Sequence, residues 1–110
     1  MFKIFKVAGH SMWPTLESKD WAFCYQTNKF SVGSIVVFKM SPFGFVIKRV
    51  CEIQENYFRV EGDNQEVSSP IYQLNIQRSE KIWVAFAIFS NARRSFFLVS
   101  PNNQEEVSNT

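Results

Sequence analysis

The stretch Val7–Leu16, VAGHSMWPTL, sets a serine just past a glycine break, beside a histidine and three residues before a proline. A serine hydroxyl is a poor nucleophile at neutral pH and needs a base. His10 is the only histidine in the chain, and it adjoins Ser11. Adjacent side chains of an extended segment point to opposite faces, which opposes a Ser11–His10 pair. His10 is expected as a surface or cleft side chain. Lysine is the other base that serves serine. At a pKa near 10.4, only about 0.04% of a lysine is neutral at pH 7. Lowering that pKa to about 7.5 takes about 4 kcal/mol against the ammonium, which burial among apolar groups can supply.

Lys48 meets that requirement best. It lies in the strand-like run FVIKRVCEI, residues 45–53. Period two puts Val46, Lys48 and Val50 on one face and Phe45, Ile47, Arg49 and Cys51 on the other. The other lysines lie near strand ends, in turns or on faces that read as solvated. A strand lysine that snorkels to the surface is the plainer alternative for Lys48. The two cysteines, Cys24 and Cys51, match no metal spacing and no redox pair, and are expected as buried free thiols. A reducing compartment fits that reading.

The elements that must hold these residues are mostly strands. Alternating or aromatic-rich runs predict strands in FKIFKVA, then DWAFCYQ (20–26), SIVVFKM (34–40), FVIKRVCEI, YFRVEG (57–62), KIWVAFAIF (81–89) and SFFLVS (95–100). SPFG (41–44) reads as a hairpin turn, GDNQEVSSP (62–70) as a loop, and YQLNIQ (72–77) as one helical turn. The expected fold is mainly β, a single domain of coiled, mostly antiparallel sheet over 1–100, with a polar, flexible tail over 101–110.

With 110 residues, 45% hydrophobic and 16% aromatic, the chain can bury one core and is not disordered. A net charge of +2 without a basic cluster beyond Arg93-Arg94 argues against nucleic-acid binding. The longest late apolar run, IWVAFAIF, has eight residues, too few to span a bilayer. No signal-peptide pattern is visible. Trp13, Trp21 and the Phe-rich stretches read first as core, and alternatively as a surface for peripheral membrane contact.

Four boxes occur in order: GHSMWPTL, GSIVVF, IKRV and GDNQEVS. Together they resemble the signal peptidase family of serine–lysine proteases, whose catalytic core the LexA and UmuD self-cleaving proteins share. The resemblance covers about residues 7–69. It implies Ser11 as nucleophile and Lys48 as general base. It implies Met12 as a cleft residue, Ser68 as a hydroxyl that orients the base, and Arg49 with Asp63 as an ion pair. The Ser11 N–H is one implied oxyanion donor. A side-chain donor that some members carry two residues earlier is replaced here by Gly9. The family's Gly-Asp of the second box is Gly33-Ser34, and its Asp-Ser-Arg after the last box is Pro70-Ile71-Tyr72, so a different local scaffold is expected.

Ten residues precede Ser11. The chain is therefore compared with short soluble relatives such as the maturation proteases of nickel-type superoxide dismutase, in the cytoplasm; a soluble fragment of a membrane-anchored peptidase is the alternative. Ala8-Gly9 is too close to Ser11 for cleavage of the chain's own N-terminal side, so action in trans is expected. The implied partner is a protein or peptide bound as an extended strand. No metal or organic cofactor is implied. A non-catalytic peptide-binding β module and a LexA/UmuD-like self-processing protein are the alternatives.

Overall fold

The computed structural model describes residues 1–78 and 80–99. The tail over 101–110 lies outside the described residues. Among the described residues eight strands run in chain order: β1 Phe2–Lys6, β2 Trp21–Gln26, β3 Ile35–Met40, β4 Gly44–Ile53, β5 Tyr57–Glu61, β6 Ile76–Gln77, β7 Ile82–Ser90 and β8 Ser95–Leu98. They form one sheet in the order β1-β2-β7-β3-β4-β5-β6, with β8 added beside β7. Every pairing is antiparallel. No α-helix occurs among the described residues.

The middle of the sheet is covered on both faces. In β3, Ile35 and Val37 enter one core and Val36 and Phe38 the other. In β7, Trp83 and Ala85 divide from Ile82 and Val84 in the same way. This is why IVVF reads as a continuous apolar run rather than an alternating one. The first core is closed by Val7, Met12 and Leu16 from the loop after β1. The second is closed by Phe58 and Val60 of β5 and by Ile71. The sheet coils far enough that Phe5 of edge strand β1 meets Phe45 of β4, ring centroids 5.2 Å apart.

The expected strands are present with trimmed ends, and the helical turn moves. A 3₁₀ turn spans Pro70–Gln73, while Ile76–Gln77 pairs with β5. The reason is local. Ser69 caps the turn by accepting from the Ile71 N–H, Pro70 opens it, and Leu74 is already extended. Cys24 is buried and Cys51 half-buried, both free thiols. Burial pushes the Cys24 thiol up to about 12. The aromatics depart from the core expectation: Trp13 and Trp21 are 50% and 36% exposed. Rings on the outward face of β1, β2, β7 and β8 pack on one another instead. No helix among the described residues is long and apolar enough to cross a membrane.

Candidate active site

Ser11 sits at the tip of a loop whose stem is pinned at both ends. Gly9 takes a φ of 83°, a conformation that favours glycine, in open space. After it, the Trp13 N–H donates to the His10 carbonyl and the Leu16 N–H to the Met12 carbonyl. Met12 and Leu16 are almost fully buried in the first core. Buried anchors directly after Ser11 fix its backbone, while its own side chain stays half-exposed and His10 is solvent-facing.

Lys48 reaches that tip from β4. Its neighbours on the same face, Val46 and Val50, pack into the second core, and Lys48 itself is 8% exposed. Its Nζ lies 2.7 Å from Ser11 Oγ. As an ammonium it donates this hydrogen bond; as an amine it accepts the hydroxyl proton. Burial lowers the Lys48 pKa from its ordinary value of 10.5. Lys48 Nζ also lies over the Tyr72 ring, 5.6 Å from its centroid. Neither salt bridge among the described residues involves Lys48.

Arg49 leaves the opposite face of β4 and braces the loops. Its Nε and Nη2 donate to Asp63 Oδ1 and Oδ2 at 2.8 and 2.7 Å, a bidentate pair. Its Nη1 donates to the Gly33 carbonyl at 2.7 Å. The Thr15 hydroxyl donates to Asp63 Oδ2. Burial pushes the Asp63 carboxyl up, but the Arg49 and Thr15 hydrogen bonds and the guanidinium charge outweigh it, leaving the pKa below 3.8. The hydrogen bonds with Asp63 raise the Arg49 pKa above its ordinary value.

The last box also grips the first through its backbone. The Asn64 N–H donates to the Ser11 carbonyl at 2.9 Å, and Asn64 Nδ2 to the His10 carbonyl at 2.9 Å. Gly62 passes so close that an added Cβ would fall 2.4 Å from the Ser11 carbonyl oxygen and 2.4 Å from Tyr72 Oη. The four boxes therefore converge in space. Box one carries Ser11, box three touches boxes one, two and four, and box four holds the backbone of Ser11.

Two expected supports are arranged differently. Ser68 is exposed, and its side chain makes no hydrogen bond to Lys48. What lies against the lysine is Tyr72, from the segment where the family pattern breaks. The Tyr72 hydroxyl is buried without a hydrogen-bond partner, next to the Gly62 backbone. Burial raises its pKa. In the second box, the Ser34 hydroxyl accepts from the Ser31 N–H at 3.0 Å and so closes the turn before β3. Sequence reasoning gave no role to Thr15 and Gly62, placed Asn64 only within its box, and named Tyr72 only as part of the altered Pro70-Ile71-Tyr72 segment. The signal for Thr15 and Gly62 was present in the boxes; for Tyr72 it was only the break in the family pattern, because no spacing rule brings a turn after β5 onto β4.

A cleft of about 190 Å³ opens beside the pair, lined by residues 5–8 and 45–48 with Ser11 and Val37. Its two long walls are strand edges. Among the described residues, β1 pairs only with β2, and β4 meets β5 only from Arg49 onward. Both walls therefore present unpaired backbone to the cleft, a place for an added strand.

The coiled antiparallel sheet thus brings a serine and a buried lysine into hydrogen-bond contact at a strand-lined cleft. The family model described as Peptidase S24-like matches residues 2–88, and the chain belongs to that family. No curated protein and no solved structure matches the chain.

Proposed function

We propose that this chain is a serine endopeptidase that uses a Ser11–Lys48 dyad and cuts a leader or propeptide from another protein. The observation that carries this reading is the 2.7 Å contact between Ser11 Oγ and a lysine whose pKa burial has lowered. A substrate segment lies extended between β1 and the first half of β4. Neutral Lys48 takes the Ser11 proton as Oγ attacks the scissile carbonyl carbon. The oxyanion accepts from the Ser11 N–H, which has no partner among the described residues. Lys48 returns the proton to the leaving amine. It then deprotonates the water that cleaves the acyl-enzyme and frees Ser11. Arg49 and Asp63 hold the loops that carry Ser11 and take no proton. The family match supports the serine–lysine superfamily. The narrower likeness to superoxide dismutase maturation proteases is part of this proposal alone.

The test is N-terminal proteomics of a source-cell lysate treated with the chain or with Ser11→Ala. New N-termini that depend on Ser11 are expected, and their flanking residues give the cleavage motif. Identical N-termini in both treatments would favour the peptide-binding module.

A further inference from the structure

The two ends of the cleft differ in chemistry. β1, β2, β7, β3 and β4 pair in that order, each antiparallel to the next, so β1 and β4 run in the same direction on either side of it. Ser11 and Lys48 stand at one end. At the other, Phe5 of β1 meets Phe45 of β4, and Phe5 also meets Trp83 of β7 at 5.9 Å. The stretch of β4 from Lys48 back to Phe45 covers about 10 Å. An extended segment that enters at the dyad therefore reaches the rings about four residues from the bond to be cut.

Lys3 stands over those rings. It shares a face of β1 with Phe5, and its Nζ lies 4.9 Å from the Phe45 centroid, 5.3 Å from that of Phe5 and 5.5 Å from that of Trp83. Neither salt bridge among the described residues involves Lys3. The surrounding strands supply no acid. β1 reads FKIFK, β2 WAFCYQ, β3 IVVFKM, the start of β4 GFVIK and β7 IWVAFAIFS, with no Asp or Glu among them. Glu80, just before β7, shares a hollow with Lys39 and Gly44 at the β3–β4 hairpin. Lys6 also lines the cleft, but its Nζ turns to the Trp21 ring, 5.4 Å away. Rings hold an ammonium in place without neutralising it, and its N–H groups still serve an acceptor. This end of the cleft is thus an aromatic wall that carries one exposed cation with no carboxylate partner among the described residues.

We propose that Lys3 selects an acidic side chain, pairing with an Asp or Glu about four residues from the scissile bond of the bound segment. This rests on the reading above that an extended substrate lies in the cleft. Lys3 sets which segments bind and takes no part in proton transfer.

The test offers one pool of proteome-derived peptides in two ways. The wild type reads which peptides are cut, and immobilised Ser11→Ala reads which are retained, each beside the same protein carrying Lys3→Glu or Lys39→Glu. Circular dichroism checks that the variants keep the fold. An about threefold excess of Asp or Glu is expected in the retained peptides and, on one side of the cut, about four residues away, with the excess lost at high salt. Lys3→Glu is expected to abolish the excess or turn it toward Lys and Arg, and Lys39→Glu to leave it. Ser11-dependent cuts without an acidic excess would overturn the role of Lys3 and leave the peptidase reading standing. Acidic peptides retained through Lys3, with none cut, would support that role and sink the peptidase reading. An excess that Lys3→Glu leaves unchanged, or that Lys39→Glu removes equally, overturns it by assigning the preference to net charge, as does a pool neither cut nor retained.

Discussion

Lys48 and Arg49 are consecutive cations that leave β4 on opposite faces. Lys48 is buried against Val46 and Val50 and finds a neutral hydroxyl at 2.7 Å. Arg49 is half-buried and finds a carboxylate on two of its N–H groups. The outcomes diverge accordingly, since the lysine's pKa falls and the arginine's rises. A carboxylate beside Lys48 would hold its proton in place and remove its use as a base. An arginine without its carboxylate would leave the loops of Ser11 and Asp63 untied. One strand thus supplies a cation kept without a counter-ion and a cation that needs one.

The largest expected effect separates these roles. Lys48→Met is expected to lower cleavage by at least about a thousandfold with the fold retained, and Lys48→Arg not to restore it. Arg49→Met leaves the Asp63 carboxylate unpaired and costs about 2 kcal/mol, below the range for fully buried pairs because both partners are partly exposed. Cleavage assays beside urea melts distinguish the two. Wild-type cleavage by Lys48→Met would end the comparison. In the wild type, cleavage is expected to rise with pH through the lowered Lys48 pKa and level off below 10.5. Stability follows the same direction. Between the lowered folded pKa and 10.5 the unfolded chain binds more protons at Lys48, so this group makes stability rise with pH there.

Asp63→Asn sharpens the other half. The folded pKa of Asp63 is depressed, so its contribution is present above 3.8 and fades as pH falls through the folded value. The variant is expected to lose about 1 kcal/mol at neutral pH and to show a flatter acid limb in pH-dependent urea melts. An acid limb as steep as that of the wild type would place the acid sensitivity elsewhere.

Much of this arrangement was legible in sequence because it depends on short-range rules. Period two in FVIKRVCEI puts Lys48 with Val46 and Val50, and the structure buries Lys48 and Val50 and half-buries Val46. The boxes gave the order in which the loops meet, including the Arg49–Asp63 pair. The rest depends on the coil of the sheet, which no local pattern encodes. Coiling brings the 3₁₀ turn after β5 to Lys48, so Tyr72 lies beside the lysine where the family resemblance implied Ser68. It also decides which aromatics find a partner layer. DWAFCYQ and KIWVAFAIF read as core strands, yet in β2 and the second half of β7 the outward rings Trp21, Phe23, Tyr25, Phe86 and Phe89 have no covering layer among the described residues.

The smallest expected effect concerns Tyr72, and it tests what keeps Lys48 apart from water. The hydroxyl is buried without a hydrogen-bond partner, so Tyr72→Phe removes an unsatisfied group and is expected to change stability by no more than about 1 kcal/mol. The ring remains over Nζ, and the midpoint of the pH–rate profile stays where it was. Tyr72→Ala removes the ring and admits water to Nζ. Two effects then compete. Loss of the ring's attraction for the ammonium, at a centroid distance of 5.6 Å, lowers the lysine pKa, while hydration raises it. Burial is the cause that lowers this pKa in the intact site, so hydration wins and the midpoint moves up. A pH–rate profile of the three proteins reads both variants at once. A midpoint that moves equally in Tyr72→Phe and Tyr72→Ala would transfer the role from the ring to the hydroxyl, making Tyr72 a polar partner of the base instead of its cover.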